Sequence, residues 1–198
     1  RAIEWASENN VVIAHDLAYA DVSFDGYKPP SILEVPGAKE VAIEFNSLSK
    51  TFNMTGWRVA MAVGNAQVID ALTRVKTNID SGIPQAIQEM AITALDDPRD
   101  SIESHNLIYE KRRDRALLVL RELGLTITEP KASLYIWARL PDGVKSSAEY
   151  AADLIDSVGV VVTPGASYGE NGEGYIRISL TTPDDRLDAA LVRLQEFD

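Results

Sequence analysis

Three short apolar runs, at residues 11–14, 41–45 and 59–63, set the frame within which this chain can fold. Such short runs, apolar but for Glu44 and with Val in each, suit strands covered on both faces, the pattern of a sheet flanked by helices. Asp16 follows the first run, and the second delivers Ser47, Ser49 and Lys50 at its end. Open α/β sheets hold ligands outside the carboxyl ends of their strands, so Asp16 and Lys50 are predicted to face one crevice. The link between the second and third runs is too short for a helical crossover, which predicts an antiparallel third strand.

Residues 25–30 read as a turn-rich surface excursion. Helices are predicted over 66–76 and 84–95, the second with Pro84 in its first turn, where proline is tolerated. Asp97-Pro98 reads as the cap of a long helix ending near Gly124, whose Lys111, Arg112, Arg113 and Arg115 form a solvated charged face. From Leu125 onward the pattern is α+β, with strands at 134–140, 160–162 and 175–180 and helices at 147–157 and 184–197. The predicted division is 1–96 and 97–198. Residues 165–174 are glycine-rich without the Gly-Lys-Ser/Thr ending of a P-loop, and read as a turn before a strand.

A net charge of −11 over 198 residues repels phosphate backbones and anionic lipid, so neither nucleic acid nor a membrane surface is an expected partner. With no cysteine and two separate histidines, His15 and His105, no disulfide framework and no metal site is expected. No apolar stretch nears the roughly 20 residues that span a bilayer, and no signal-peptide pattern opens the chain, which makes cytoplasm the expectation. Residues 1–10 read as the back half of an amphipathic helix without an N-cap, so the chain is expected to begin inside a domain.

The chemistry gathers in Ser47-Leu48-Ser49-Lys50-Thr51-Phe52-Asn53-Met54-Thr55-Gly56-Trp57-Arg58. An amine that can form an imine, with hydroxyls and a guanidinium able to grip a phosphate, is what pyridoxal 5′-phosphate requires. This run resembles the Ser-x-x-Lys…Arg signature of fold-type I aminotransferases of class I/II. His15-Asp16-Leu17-Ala18-Tyr19 resembles the family's Asp-x-x-Tyr, and the likeness continues in Tyr175-Ile176-Arg177-Ile178-Ser179. A narrower likeness, to the bacterial LL-diaminopimelate aminotransferase group, lies in Lys76-Thr77-Asn78-Ile79-Asp80-Ser81-Gly82 and Lys131-Ala132-Ser133-Leu134-Tyr135-Ile136-Trp137.

The resemblance implies the C-terminal half of an enzyme: part of a large cofactor-binding domain, mostly parallel sheet with helices, followed by a smaller α+β domain. It implies a Schiff base on Lys50, which is also the base for the Cα proton, and a carboxylate, Asp16, at the cofactor's ring nitrogen. Tyr19 would meet the phenolate oxygen, and Ser47, Ser49 and Arg58 would form the phosphate cup. Arg177 would take the substrate α-carboxylate, and Asn78 would lie near the partner subunit's site in a homodimer. The reaction implied is amino transfer between an amino acid and a 2-oxo acid, and the narrower likeness points to LL-diaminopimelate, 2-oxoglutarate and lysine biosynthesis.

Each residue also has an ordinary role: turn chemistry for the serines, capping for Asp16, packing for Tyr19, an exposed strand position for Arg177. A carbon–sulfur lyase of the same fold shares the lysine and the phosphate cup. A transcription regulator with an aminotransferase-like sensing domain stays open as the alternative from another class. Ser47-x-x-Lys50 also matches the penicillin-binding proteins and class A β-lactamases, but their Ser-Asp-Asn and Lys-Thr-Gly companions are missing.

Overall fold

The computed structural model describes residues 1–96, 100–144 and 146–197. The cap expected at Asp97-Pro98 lies outside them. The chain divides into two compact units, one through Ser104 and one from His105 onward, so the change of unit falls within the long helix.

In the first unit, helix α1 (Ala2–Asn9) buries Ile3 and Ala6 and ends at Asn10, whose left-handed backbone (φ 54°) turns the chain. The extended residues 11 and 12 then stay exposed, and strand β1 occupies Ile13–Asp16, two residues later than the apolar run suggested. Short helix α2 (Ala38–Val41) leads into β2 (Ala42–Ser47), and β2 runs through helix α3 (Leu48–Thr51) to β3 (Ala60–Gly64). The sheet order is β1-β2-β3, with β1 parallel and β3 antiparallel to β2, as the short β2–β3 link required.

One apolar cluster joins Ile3, Ala38 and Ala42. A second joins Leu48, Val59 and Ala91, with Phe52, Met61 and Ile87 packed against it. Ala91 and Ile87 lie on α5 (Gln85–Asp96), so this helix covers the base of α3. Leu48 is 2% exposed, and full burial of such a side chain contributes roughly 1.5–3 kcal/mol. Between β3 and α5, α4 (Ala66–Ile79) has an apolar stripe but buries none of its residues.

The second unit contains the later part of α6 (Asp100–Glu122), then β4 (Tyr135–Arg139), α7 (Ser147–Val158), β5 (Thr163–Pro164), β6 (Tyr175–Ser179) and α8 (Asp184–Leu194). Its antiparallel sheet runs β4-β6-β5. Ile136, Ala138 and Ile176 of the sheet are buried, as are Leu117, Leu120, Leu154, Leu187 and Leu191 of the helices.

Two expectations change here. Val160 and Val162 are buried, but the ladder forms one step later at Thr163–Pro164, because packing, and not strand pairing, selected the apolar residues. Nor is the basic stretch on α6 a solvated face throughout. Arg113 is 2% exposed, donating to the Pro130 carbonyl and to Asp114, while Arg112 and Arg115 pair with Asp184.

Candidate active site

Parallel pairing sets the site's frame: His15 stands beside Glu44 and Asp16 beside Phe45, so the carboxyl ends of β1 and β2 finish along one edge. At the end of β2 the Ser47 hydroxyl accepts the Ser49 amide at 3.2 Å, capping α3 and turning the backbone from extended to helical. Lys50 falls on the last turn of this short helix. Leu48 anchors the other side of the helix in the core, which leaves Lys50 half-buried.

The chain after Lys50 folds back twice. Asn53 (φ 54°) and Arg58 (φ 57°) both adopt left-handed backbone, uncommon for residues with a Cβ. Between them, the Thr55 hydroxyl donates to the Ser49 carbonyl at 3.1 Å, and Arg58 Nη1 donates to the Thr55 carbonyl at 3.1 Å. Arg58 is exposed, with its guanidinium folded back onto the Thr55 carbonyl, while Ser49 is buried.

Tyr19 reaches this helix from the turn after β1. Within that turn the Val22 amide donates to the Tyr19 carbonyl, and Asp21 accepts the Thr51 hydroxyl at 3.2 Å. Lys50 Nζ lies 5.7 Å from the centroid of the Tyr19 ring, within cation–π range. Among the described residues no hydrogen bond or ion pair holds the Lys50 amine. Asp16 is exposed at the end of β1 and accepts the Ala18 amide at 3.4 Å. A cavity of about 240 Å³ on the side of Ser47 and Thr51 is lined by neither Lys50 nor Arg58.

Behind this edge is a group that the sequence did not single out. Glu44 is 4% exposed, and its carboxylate accepts the Ser31 hydroxyl at 2.7 Å, the Ile32 amide at 3.2 Å and the Asn46 amide at 3.1 Å. His15 Nδ1 lies 3.1 Å away. Burial alone would raise the pKa of this carboxyl. The bonds from Ser31, Asn46, His15 and the Ile32 amide outweigh burial and hold it below the ordinary value. Because Asp16 follows His15 and Ser47 follows Asn46, the network fastens the two strand ends that present the site.

In the second unit, Arg177 lies on the outer face of β6, directly opposite Trp137 of β4. Its guanidinium carbon is 4.2 Å from the Tyr135 ring and 4.9 Å from the Tyr168 ring. Among the described residues no carboxylate pairs with it. Asn78 sits on the exposed last turn of α4 and donates to the Arg74 carbonyl at 2.7 Å. The aromatic surroundings of Arg177 were readable as alternation in Tyr135-Ile136-Trp137 and Tyr175-Ile176-Arg177; Tyr168 was not, since it arrives from a separate loop.

A family model described as aminotransferase class I and II matches residues 1–194. The chain is 56% identical over 196 residues to LL-diaminopimelate aminotransferase of Dehalococcoides mccartyi, covering 99% of this chain and 50% of that protein. It therefore spans about half the length of the curated relatives it matches. The structure of substrate-bound BacF from Bacillus subtilis superposes with a TM-score of 0.92 at 37% identity, over 100% of this chain and 50% of the other. That of an aromatic aminotransferase from Pyrococcus horikoshii superposes with a TM-score of 0.90 at 30% identity, over 98% and 52%.

Proposed function

The chain belongs to the class I and II aminotransferases, and from that membership we propose that it carries the lysine-bearing half of an enzyme moving an amino group between an amino acid and a 2-oxo acid. Enzymes of this family use pyridoxal 5′-phosphate. The donor set suits that cofactor: an uncommitted amine, two hydroxyls and a guanidinium for phosphate oxygens, a carboxylate for a ring nitrogen and a phenol for a ring oxygen. When bound, the cofactor supplies a carbonyl carbon for condensation with amines and a ring that draws electrons from the substrate Cα.

Lys50 would hold the cofactor and would serve as the base for the substrate Cα proton. Asp16 would keep a proton on the ring nitrogen, and Tyr19 would donate to the ring's phenolate oxygen. Ser47, Ser49 and Arg58 bind the phosphate. Arg177 offers its fork to the substrate α-carboxylate, and Asn78 lies near the partner subunit's site. In this reading the complete protein is a cytoplasmic homodimer; among the described residues no helix is long and apolar enough to cross a membrane.

One observation carries the reading: the Lys50 amine is uncommitted at the carboxyl edge of β1 and β2, with Tyr19 beside it. Borohydride reduction of the cofactor-loaded full-length protein, followed by peptide mapping, should place the adduct on Lys50. A label on Lys28 or Lys76 would overturn the assignment.

Fold does not choose the substrate, as the aromatic aminotransferase among the matching structures illustrates. The 56% identity supports LL-diaminopimelate as the substrate, in lysine biosynthesis, and this reading takes it as the donor with 2-oxoglutarate as acceptor. A site that pairs the donor's distal polar groups should reject apolar analogues by a factor on the order of ten thousand. If alanine or an aromatic amino acid exceeds LL-diaminopimelate in kcat/KM, the narrow assignment falls and the aminotransferase reading stands.

A further inference from the structure

Arg177 differs from Arg112 and Arg115 in having no carboxylate partner among the described residues. Arg112 and Arg115 are taken up by Asp184 and Asp188. Arg177, in a chain with 30 acidic residues, has aromatic rings instead. Tyr135 stands at 4.2 Å and Tyr168 at 4.9 Å from its guanidinium carbon. Trp137, opposite it in the ladder, stacks on Tyr175 at 5.4 Å and meets Tyr168 edge-on at 5.7 Å, which braces the group.

Rings attract a guanidinium through their π clouds and accept no conventional hydrogen bond from its in-plane N–H groups. The cation is therefore held while its donors stay available.

Tyr168 is 51% exposed, yet the loop that carries it is tied down. The loop turns through Gly165–Tyr168 and Glu170–Gly172, and the Gly165 and Gly172 backbones approach so closely that a Cβ on either would overlap the other's carbonyl. The Ala166 amide donates to the hydroxyl of Ser147, which is fully buried at the start of α7. Glu173 accepts the amides of Ser147 at 2.6 Å and Gly174 at 2.8 Å. Both ends of the loop are thus fixed to one point of the unit, and Tyr168 is held over Arg177.

We infer that Tyr135 and Tyr168 are positioning residues: they clamp the Arg177 guanidinium so that its donor edge meets an incoming carboxylate already oriented. The inference rests on the reading of Arg177 as the carboxylate-binding residue. An unclamped arginine side chain must give up rotamer freedom when it binds, and the clamp removes that cost from the binding step.

The test uses the full-length, cofactor-loaded enzyme and reads both steady-state kinetics with LL-diaminopimelate and the Kd of glutarate, a carboxylate without an amine, by calorimetry. Tyr168→Leu and Tyr135→Leu should each raise KM and the glutarate Kd about three- to thirty-fold with kcat little changed. Tyr168→Phe and Tyr135→Phe keep the ring faces and should stay near wild type. Leu variants that lower kcat alone, or leave the glutarate Kd unchanged, would overturn the clamp, as would Phe variants as weak as the Leu ones. Arg177→Ala separates the two claims. If it weakens glutarate and the Leu variants do not, the clamp alone fails; if it leaves glutarate binding intact, the reading of Arg177 fails and takes the clamp with it.

Discussion

Glu44 shows how much one side chain can organise. An ionised carboxylate that is 4% exposed is stable only because donors surround it. Glu44→Gln would turn an amide N–H₂ towards groups that are themselves donors. The expected loss is about 1–3 kcal/mol of stability by urea unfolding, and an unchanged midpoint would contradict the network's role. The pH dependence has a definite sign. The folded pKa lies below the ordinary 4.5, so this contribution is complete above that value and disappears as pH falls through the folded pKa. Wild type and Glu44→Gln should therefore converge in stability on acidification.

At the scale of elements, α8 is held to α6 by charge. Asp184, in the first turn of α8, accepts Arg112 Nε and Nη2, both at 3.1 Å, and Arg115 Nη2 at 2.6 Å. These bonds, Arg112's first, lower the Asp184 pKa from 3.8 to about 2. A depressed carboxylate stabilises the fold fully above its ordinary value and loses that contribution as pH falls through about 2. Asp184→Asn should accordingly lower the Tm at pH 6, with the gap to wild type closing towards pH 2; a gap that persists in acid would point to packing instead. Added salt should narrow it too, since the Asp184 carboxylate is 55% exposed. Helix α7 offers a simpler case. Ser146 caps it by accepting the Glu149 amide at 3.2 Å, and Ser146→Ala is expected to cost about 1 kcal/mol in chemical denaturation.

At the scale of the whole molecule, the exposed apolar surface is informative. On α4, Leu72, Val75 and Ile79 are 37%, 59% and 74% exposed, and on α5 Ile92 and Leu95 are over half exposed. Exposed apolar residues repeated along a helix face mark a surface that association would cover. The 198-residue chain by itself is expected to self-associate, seen as a mass above 21.7 kDa that rises with concentration in light scattering. A steady monomer mass would refute this.

Much of this could be read from the chain alone. Apolar runs ending in polar residues are set by local burial demand, which is why the three strands of the first unit and the antiparallel β3 were legible. The Lys50 loop was legible too, because its residues are close in sequence and carry a specific chemistry. What lay beyond reach depends on residues distant in the chain. Glu44 draws partners from 13 and 29 residues away, and the buried Arg113 meets the Pro130 carbonyl 17 residues on. Tyr168 meets Arg177 because two glycines and a buried serine hold its loop in place. Periodicity reports which face of an element is buried; only the folded chain decides which polar groups then meet there, because hydrogen bonds and ring contacts act over a few ångströms and take their partners from anywhere along the sequence.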